Sequence, residues 1–388
     1  MGPISKKLTS AFSAVILVFV FISASATAEI LSQATPDGGV QPRLVVDSSG
    51  GIHLLYFKKR INRPSAREGN LYYRQYDVEN RKFGLPVKVS SEAFNMQTFS
   101  IARASLAVDD SGRAHVIWYK PREGEYLYSR SNPERSQFEA QKSMVSEYAV
   151  GIDAGADIAA SENHVAIVWG AGDLSREQER TVFARLSNDF GASFGAELSM
   201  GNKDLGACAC CSLAVEYSEN DKMLIAYRSA IDRLGRHMQI LKLNGVDEGI
   251  SDASYGSVHE LQEWEMSSCP LSTNDIVADN EQQYWLVFET ASRIVQLNIS
   301  GEAPALSVGE PFTKTRQKNP TIAFNGSNEK LIAWGEAIAH SRGGRLNFRL
   351  YDSQGKQLDS EPVDEMEMPK YSFPAAAGLP SGDFLLLY

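Results

Sequence analysis

The chain has 388 residues, a formal net charge of −10, 22% charged residues and 10% aromatics. It is too apolar to remain disordered, and too acidic for nucleic acid or an anionic membrane to be its expected partner. Its four cysteines all lie in the second half, so the fold must rest on an apolar core and not on a disulfide framework.

At the N-terminus Lys6 and Lys7 precede an apolar run from Ala11 to Ile22, followed by the small residues Ala26-Thr27-Ala28. This is the pattern of a secretory signal over residues 1–28, with cleavage expected after Ala28. It predicts one mature domain, residues 29–388, that is periplasmic or secreted. The run is short for a bilayer span, and no later stretch has the apolar length of a transmembrane anchor.

From Pro42 onward one unit opens seven times: a small apolar stretch, a polar turn, then an apolar stretch closing on an aromatic. The openings are PRLVVDSSGGIHLLYF, ASLAVDDSGRAHVIWY, ADIAASENHVAIVWG, CSLAVEYSENDKMLIAYR, NDIVADNEQQYWLVFE, NPTIAFNGSNEKLIAWGE and FPAAAGLPSGDFLLLY. Each reads as two strands about a turn of Asp, Ser, Asn and Gly. Further strand pairs follow, such as Asn70–Tyr76 with Lys82–Ser90. The expected fold is therefore all-β, a propeller of four-stranded blades. Seven blades are favoured, or six if the last hairpin is a lid, and Ile30–Thr35 is available to close the ring. Ser175–Arg180 reads as a solvated loop.

Ser187-Asn188-Asp189-Phe190-Gly191-Ala192-Ser193-Phe194 fits S-x-D-x-G-x-S/T-W/F, the Asp-box turn. With this box and the repeats, the chain resembles the sialidase-like (BNR-repeat) propeller superfamily. That resemblance implies a glycan or other small ligand and, as an alternative to a binding role, exo-glycosidase action on acidic glycans. The sialidase Phe/Tyr-Arg-Ile-Pro motif is replaced by Gln41-Pro42-Arg43-Leu44, so a binding role is favoured over an enzymatic one. Arg43 and Arg103 enter inner strands and are candidate contacts to an anionic ligand.

Cys208-Ala209-Cys210-Cys211 and Cys269-Pro270 lead into the inner strands of blades four and five. Aligned on Ser105, Ser212 and Asp275, both segments fall in blade-to-blade connections, which share one face near the axis. The four sulfurs are therefore expected to cluster. They can form two disulfides, with bridges from the triplet to Cys269 preferred. They can instead bind a soft ion such as copper or zinc, or act as redox thiols. The order C-x-C-C, then Arg228 closing a strand, then Trp264 before Cys269-Pro270, resembles a subgroup of sialidase-like secreted bacterial proteins. Arg228 joins the ligand-binding candidates.

Glu289 and Glu336 end second strands on the same face and read as matching positions in adjacent blades. Under the enzymatic alternative they are the acid/base pair. His53, His115 and His164 begin second strands on the opposite face, where recurrence indicates blade packing. His237 and His259 reach the cysteines only through loop folding.

Overall fold

The computed structural model describes residues 2, 28–61, 67–96, 99–202, 204–218, 222–244, 252–257 (backbone), 264–301, 304–308, 315–337, 343–358 and 366–388. The signal-like segment and His259 lie outside the described residues.

Seven antiparallel sheets are arranged as a seven-bladed β-propeller. The inner strands are Val40–Val46, Ser105–Val108, Asp157–Ser161, Ala214–Ser218, Asn274–Ala278, Gln317–Phe324 and Ala375–Gly378. Each pairs antiparallel with the next strand in the chain; Lys222–Arg228, Tyr284–Thr290 and Lys330–Glu336 are those second strands in blades four to six. The outermost strand is short, often two residues, as in Lys142–Ser143 and Leu198–Ser199. The seventh sheet is completed by Ile30–Gln33, which lies parallel to Phe384–Leu387 and so closes the ring with strands from both chain ends.

The turns repeat one piece of chemistry. Asp47, Asp279 and Asn325 each accept two backbone N–H groups with one side-chain oxygen, and Asp109 accepts that of Arg113. The other oxygen of Asp47 and Asp109 holds His53 and His115, whose second ring nitrogens meet Tyr73 and Tyr128. In blade five Trp285 takes the place of histidine and donates to Asp279 at 3.0 Å. These two histidines are bonded packing elements, as recurrence at one repeat position indicated. In the Ser187–Phe194 turn, Asp189 accepts from Ser193, Gly191 takes φ +71°, and Phe194 packs edge-on against Tyr128.

The core lies between blades. Seven apolar clusters fill the seven blade interfaces. In blade three Val165, Ile167 and Trp169 face blade two, while Ala166 and Val168 face blade four. A second strand is therefore covered on both faces, which is why these strands read as unbroken apolar runs. Ser175–Arg180, expected as a loop, overlaps the short 3-10 helix Leu174–Glu179, begun by Asp173 accepting from the Ser175 N–H. That helix carries Glu177 to the cysteine face.

Candidate functional site

The connection from blade three to blade four brings the cysteines against the end of the next second strand. Cys208 N–H donates to the Arg228 carbonyl at 2.9 Å, and Ala209 N–H donates to Glu177 Oε1 at 2.7 Å. Cys211 bridges Ser272 in parallel, and Ser212 N–H donates to the Ser272 carbonyl at 3.0 Å. Close passage of this segment requires Gly155, where a Cβ would stand 2.7 Å from the Cys211 carbonyl oxygen. The triplet thus lies beside the Cys269–Ser272 segment of the neighbouring connection.

The Sγ atoms of Cys208, Cys210 and Cys211 lie within 4.8 Å of one another, and all three residues are buried. Cys208 and Cys211 form a disulfide with Cα atoms 5.6 Å apart. Cys210 is a buried thiol, 3.8 Å from Cys208 Sγ, and Cys269 is an exposed thiol. Burial pushes the Cys210 thiol pKa up. Its hydrogen bond with Cys269 adds to this, while the Leu271 N–H opposes it. Leu271 itself has φ +50°, a left-handed conformation that costs a branched residue about 1–2 kcal/mol. The preferred pairing of the triplet with Cys269 is thus corrected. Cys208 and Cys211 are three residues apart, a C-x-x-C inside the C-x-C-C, and their Cα separation suits a bridge directly.

The cysteines are surrounded by cations. Arg180, Arg228 and Arg236 are nearly inaccessible, and Arg316 and Lys318 both donate to the Pro270 carbonyl, at 2.9 and 3.0 Å. Arg228 donates to Ser272 Oγ and the Arg236 carbonyl, stacks 4.7 Å from the Trp264 ring centre, and leaves Nη2 unpartnered. Burial pushes the Arg228 pKa down to about 9, with Arg316 adding to this and Glu289 opposing it. Arg236 is paired with Glu177 at 2.6 Å. His237 Nδ1 accepts from the Trp264 backbone N–H at 3.2 Å and so anchors the main chain of the residue whose ring covers Arg228.

Glu289 and Glu336 do not occupy matching positions. Asp275 pairs with Val287, and Thr321 pairs with Ala333. Glu289 therefore aligns with Gly335, and Glu336 with Thr290. This one-residue offset sends the carboxylates to opposite faces of their strands. Glu289 is held by Arg316, and Glu336 accepts from Thr315, Gln317 and Trp334. Both are buried, and their faces, which carry Val287 in blade five and Ile332 and Trp334 in blade six, meet in the interface between these blades, where each carboxylate is held by its own partners.

Arg43 and Arg103 lie on the axis. Arg43 reaches from blade one to Asp275 of blade five at 2.9 Å, and Arg103 donates to the Pro42 and Pro374 carbonyls. Burial, with Arg43 adding to it, pushes the Arg103 pKa down to about 10. Three acids that sequence reasoning passed over complete this layer: Asp157, Glu216 and Asp275. Asp157 accepts from Val215 N–H with Oδ2, leaves Oδ1 unpartnered, and has its pKa raised chiefly by burial. Glu216 is pushed up to about 8 by burial, with Asp157 and Asp275 adding to it and Arg43 opposing. Arg43, Glu216 and Asp275 line a cavity of about 480 Å³ that opens toward the turn face, away from the cysteines.

No model of a known protein family matches the chain, and no curated protein matches its sequence. Among solved structures it is similar to Kuenenia stuttgartiensis hydrazine synthase, with 10% identity, 93% of each chain covered and a TM-score of 0.49. It is also similar to a Penicillium chrysogenum alpha-L-arabinanase complexed with arabinobiose, with 10% identity, 83% of this chain and 95% of that one covered, and a TM-score of 0.49. A third is the Aleuria aurantia lectin, at 9% identity, with 83% and 96% covered and a TM-score of 0.46. At such identities the likeness concerns the fold and carries nothing about activity.

Proposed function

We propose that this is an exported ligand-binding propeller whose cysteine face, once reduced, holds a soft metal ion, copper(I) or zinc(II). The observation that carries this reading is the buried triplet of sulfurs within 4.8 Å, with Cys269 beside Cys210. Thiolate is the ligand these ions prefer, and three or four thiolates need compensating positive charge when desolvated. Arg180, Arg228, Arg236, Arg316 and Lys318 supply it, against Glu177 and Glu289. The Cys208–Cys211 disulfide is then the closed form, which cannot ligate. It is consistent with an extracellular protein, in keeping with a leader over residues 1–28 and a mature domain over 29–388. The resemblance to sialidase-like secreted proteins with C-x-C-C and Cys-Pro points to the same face. The test is elemental analysis of protein purified under reducing, oxygen-free conditions: one equivalent of copper or zinc is expected, lost in Cys210→Ser.

A second reading rests on the axial cavity. Its volume of about 480 Å³ suits a small polar ligand such as a sugar, with Arg43, Glu216 and Asp275 as polar contacts. Saturable binding of a sugar panel member, weakened by Glu216→Gln, would support this second site; absence of binding across acidic and neutral sugars would remove it.

A further inference from the structure

We propose that the four cysteines form a thiol–disulfide exchange site. Cys269 meets an external disulfide or dithiol, Cys210 is the resolving sulfur, and Cys208–Cys211 is the pair behind it. The exchange uses the sulfurs of the proposed metal site but does not depend on that reading.

The order is set by exposure and contact. Cys269 is exposed, Cys210 is 3% exposed, and the bridged pair is buried. Cys269 is hydrogen-bonded to Cys210, and Cys210 Sγ lies 3.8 Å from Cys208 Sγ. Cys210 thus stands between the solvent-facing thiol and the disulfide, in connections that the Cys211–Ser272 bridge holds side by side. A purely structural arrangement in an oxidising compartment has no use for two adjacent free thiols against a formed bridge. Partial exposure beside positive charge is the setting of reactive cysteines, and Arg316 and Lys318 both bind the carbonyl next to Cys269.

In the outer exchange, the Cys269 thiolate attacks a disulfide R–S–S–R, forming Cys269–S–S–R and releasing one thiolate. Cys210 then attacks Cys269 Sγ, forming Cys210–Cys269 and releasing the second; the external disulfide is reduced as the two cysteines are oxidised. The inner exchange has no net redox change. Cys210 attacks Cys208 Sγ and expels the Cys211 thiolate. Cys269 attacks Cys210 Sγ and expels the Cys208 thiolate, and the protons given up by Cys210 and Cys269 pass to Cys208 and Cys211.

Trypsin leaves Cys208, Cys210 and Cys211 on one peptide, between Lys203 and Lys222, and Cys269 on another, between Lys242 and Arg293. Full-length protein, reduced and freed of metal by chelation, is incubated with glutathione disulfide, quenched by alkylation and mapped by mass spectrometry. Wild type should yield the cross-linked peptide pair. Cys210→Ser should lose it and accumulate the Cys269–glutathione adduct at least about tenfold above wild type; Cys269→Ser should take up glutathione at least about tenfold more slowly. Equal adduct levels in wild type and Cys210→Ser, or no cross-linked pair in folded wild type, would overturn the proposal. Chelation keeps the outcome separate from the metal reading, whose own failure would be an absence of bound ion in reduced protein.

Discussion

Replacing Glu216 by Gln tests the electrostatics of the axial layer. Glu216 holds its proton up to about 8 in the folded chain, against an ordinary 4.5, because burial and the facing Asp157 and Asp275 outweigh the attraction of Arg43. An acid with a raised folded pKa is no handicap below its unfolded pKa. As pH climbs from 4.5 toward 8, the unfolded chain releases the proton while the folded chain keeps it, so stability falls, and above 8 the loss levels off. The gap sets a ceiling of about 5 kcal/mol, which water in the open cavity reduces to about 1–3 kcal/mol. Glutamine keeps the shape without the charge. Urea unfolding at pH 4.5, 7 and 9 should show equal stability of wild type and Glu216→Gln at the lowest pH, and a more stable variant at the highest. A difference that stays flat with pH, or a variant that is less stable at pH 9, would refute the reasoning.

Asp275→Asn should cost about 2–4 kcal/mol in urea unfolding, because Arg43 is left buried without its counter-charge; a double-mutant cycle with Arg43→Gln should show coupling, and zero coupling would deny the ion pair across the axis. Asp189→Ala should cost about 1–2 kcal/mol at pH 7 by removing the acceptor for Ser193 and Ser187. Because the Asp189 pKa is lowered to about 2 by those hydrogen bonds, its contribution is present above the unfolded value of 3.8 and lost as pH falls through about 2. The cost should shrink over that window, and a constant cost would contradict the assignment. Deleting residues 28–33 removes the strand that closes the ring, so hydrogen exchange at Phe384–Leu387 should accelerate sharply; unchanged protection would show that the closure is dispensable.

The propeller was legible because its hairpins carry two strong signals, an Asp or Asn turn and a doubly buried apolar strand. Ring closure by Ile30–Gln33 followed from the incomplete last unit. The site was less legible because register is not visible in a short apolar strand. Cys211-Ser212-Leu213 mimics Ala104-Ser105-Leu106, and alignment on Ser212 is two residues out: Ala214 pairs with Ala226 just as Asp275 pairs with Val287. That slip hid Glu216, which stands at the position of Val277 and faces the axis. Glu289 and Glu336 were mispaired for the same reason, by one residue. Alternation within each inner strand, counted back from the turn residue, was the available signal for both. Glu177 and Lys318 reach the cysteines from a loop helix and from the next blade, contacts that no local pattern encodes.

The central claim is that the cysteine face is a thiolate site for a soft ion. Its most direct test is anaerobic titration of the reduced, full-length chain with copper(I), followed by charge-transfer absorption and checked by elemental analysis. The account predicts saturation at one ion per chain, with loss of the band in Cys210→Ser and weakened binding in Cys269→Ser. Four freely alkylated thiols in the presence of excess copper(I), with no charge-transfer band, would contradict it.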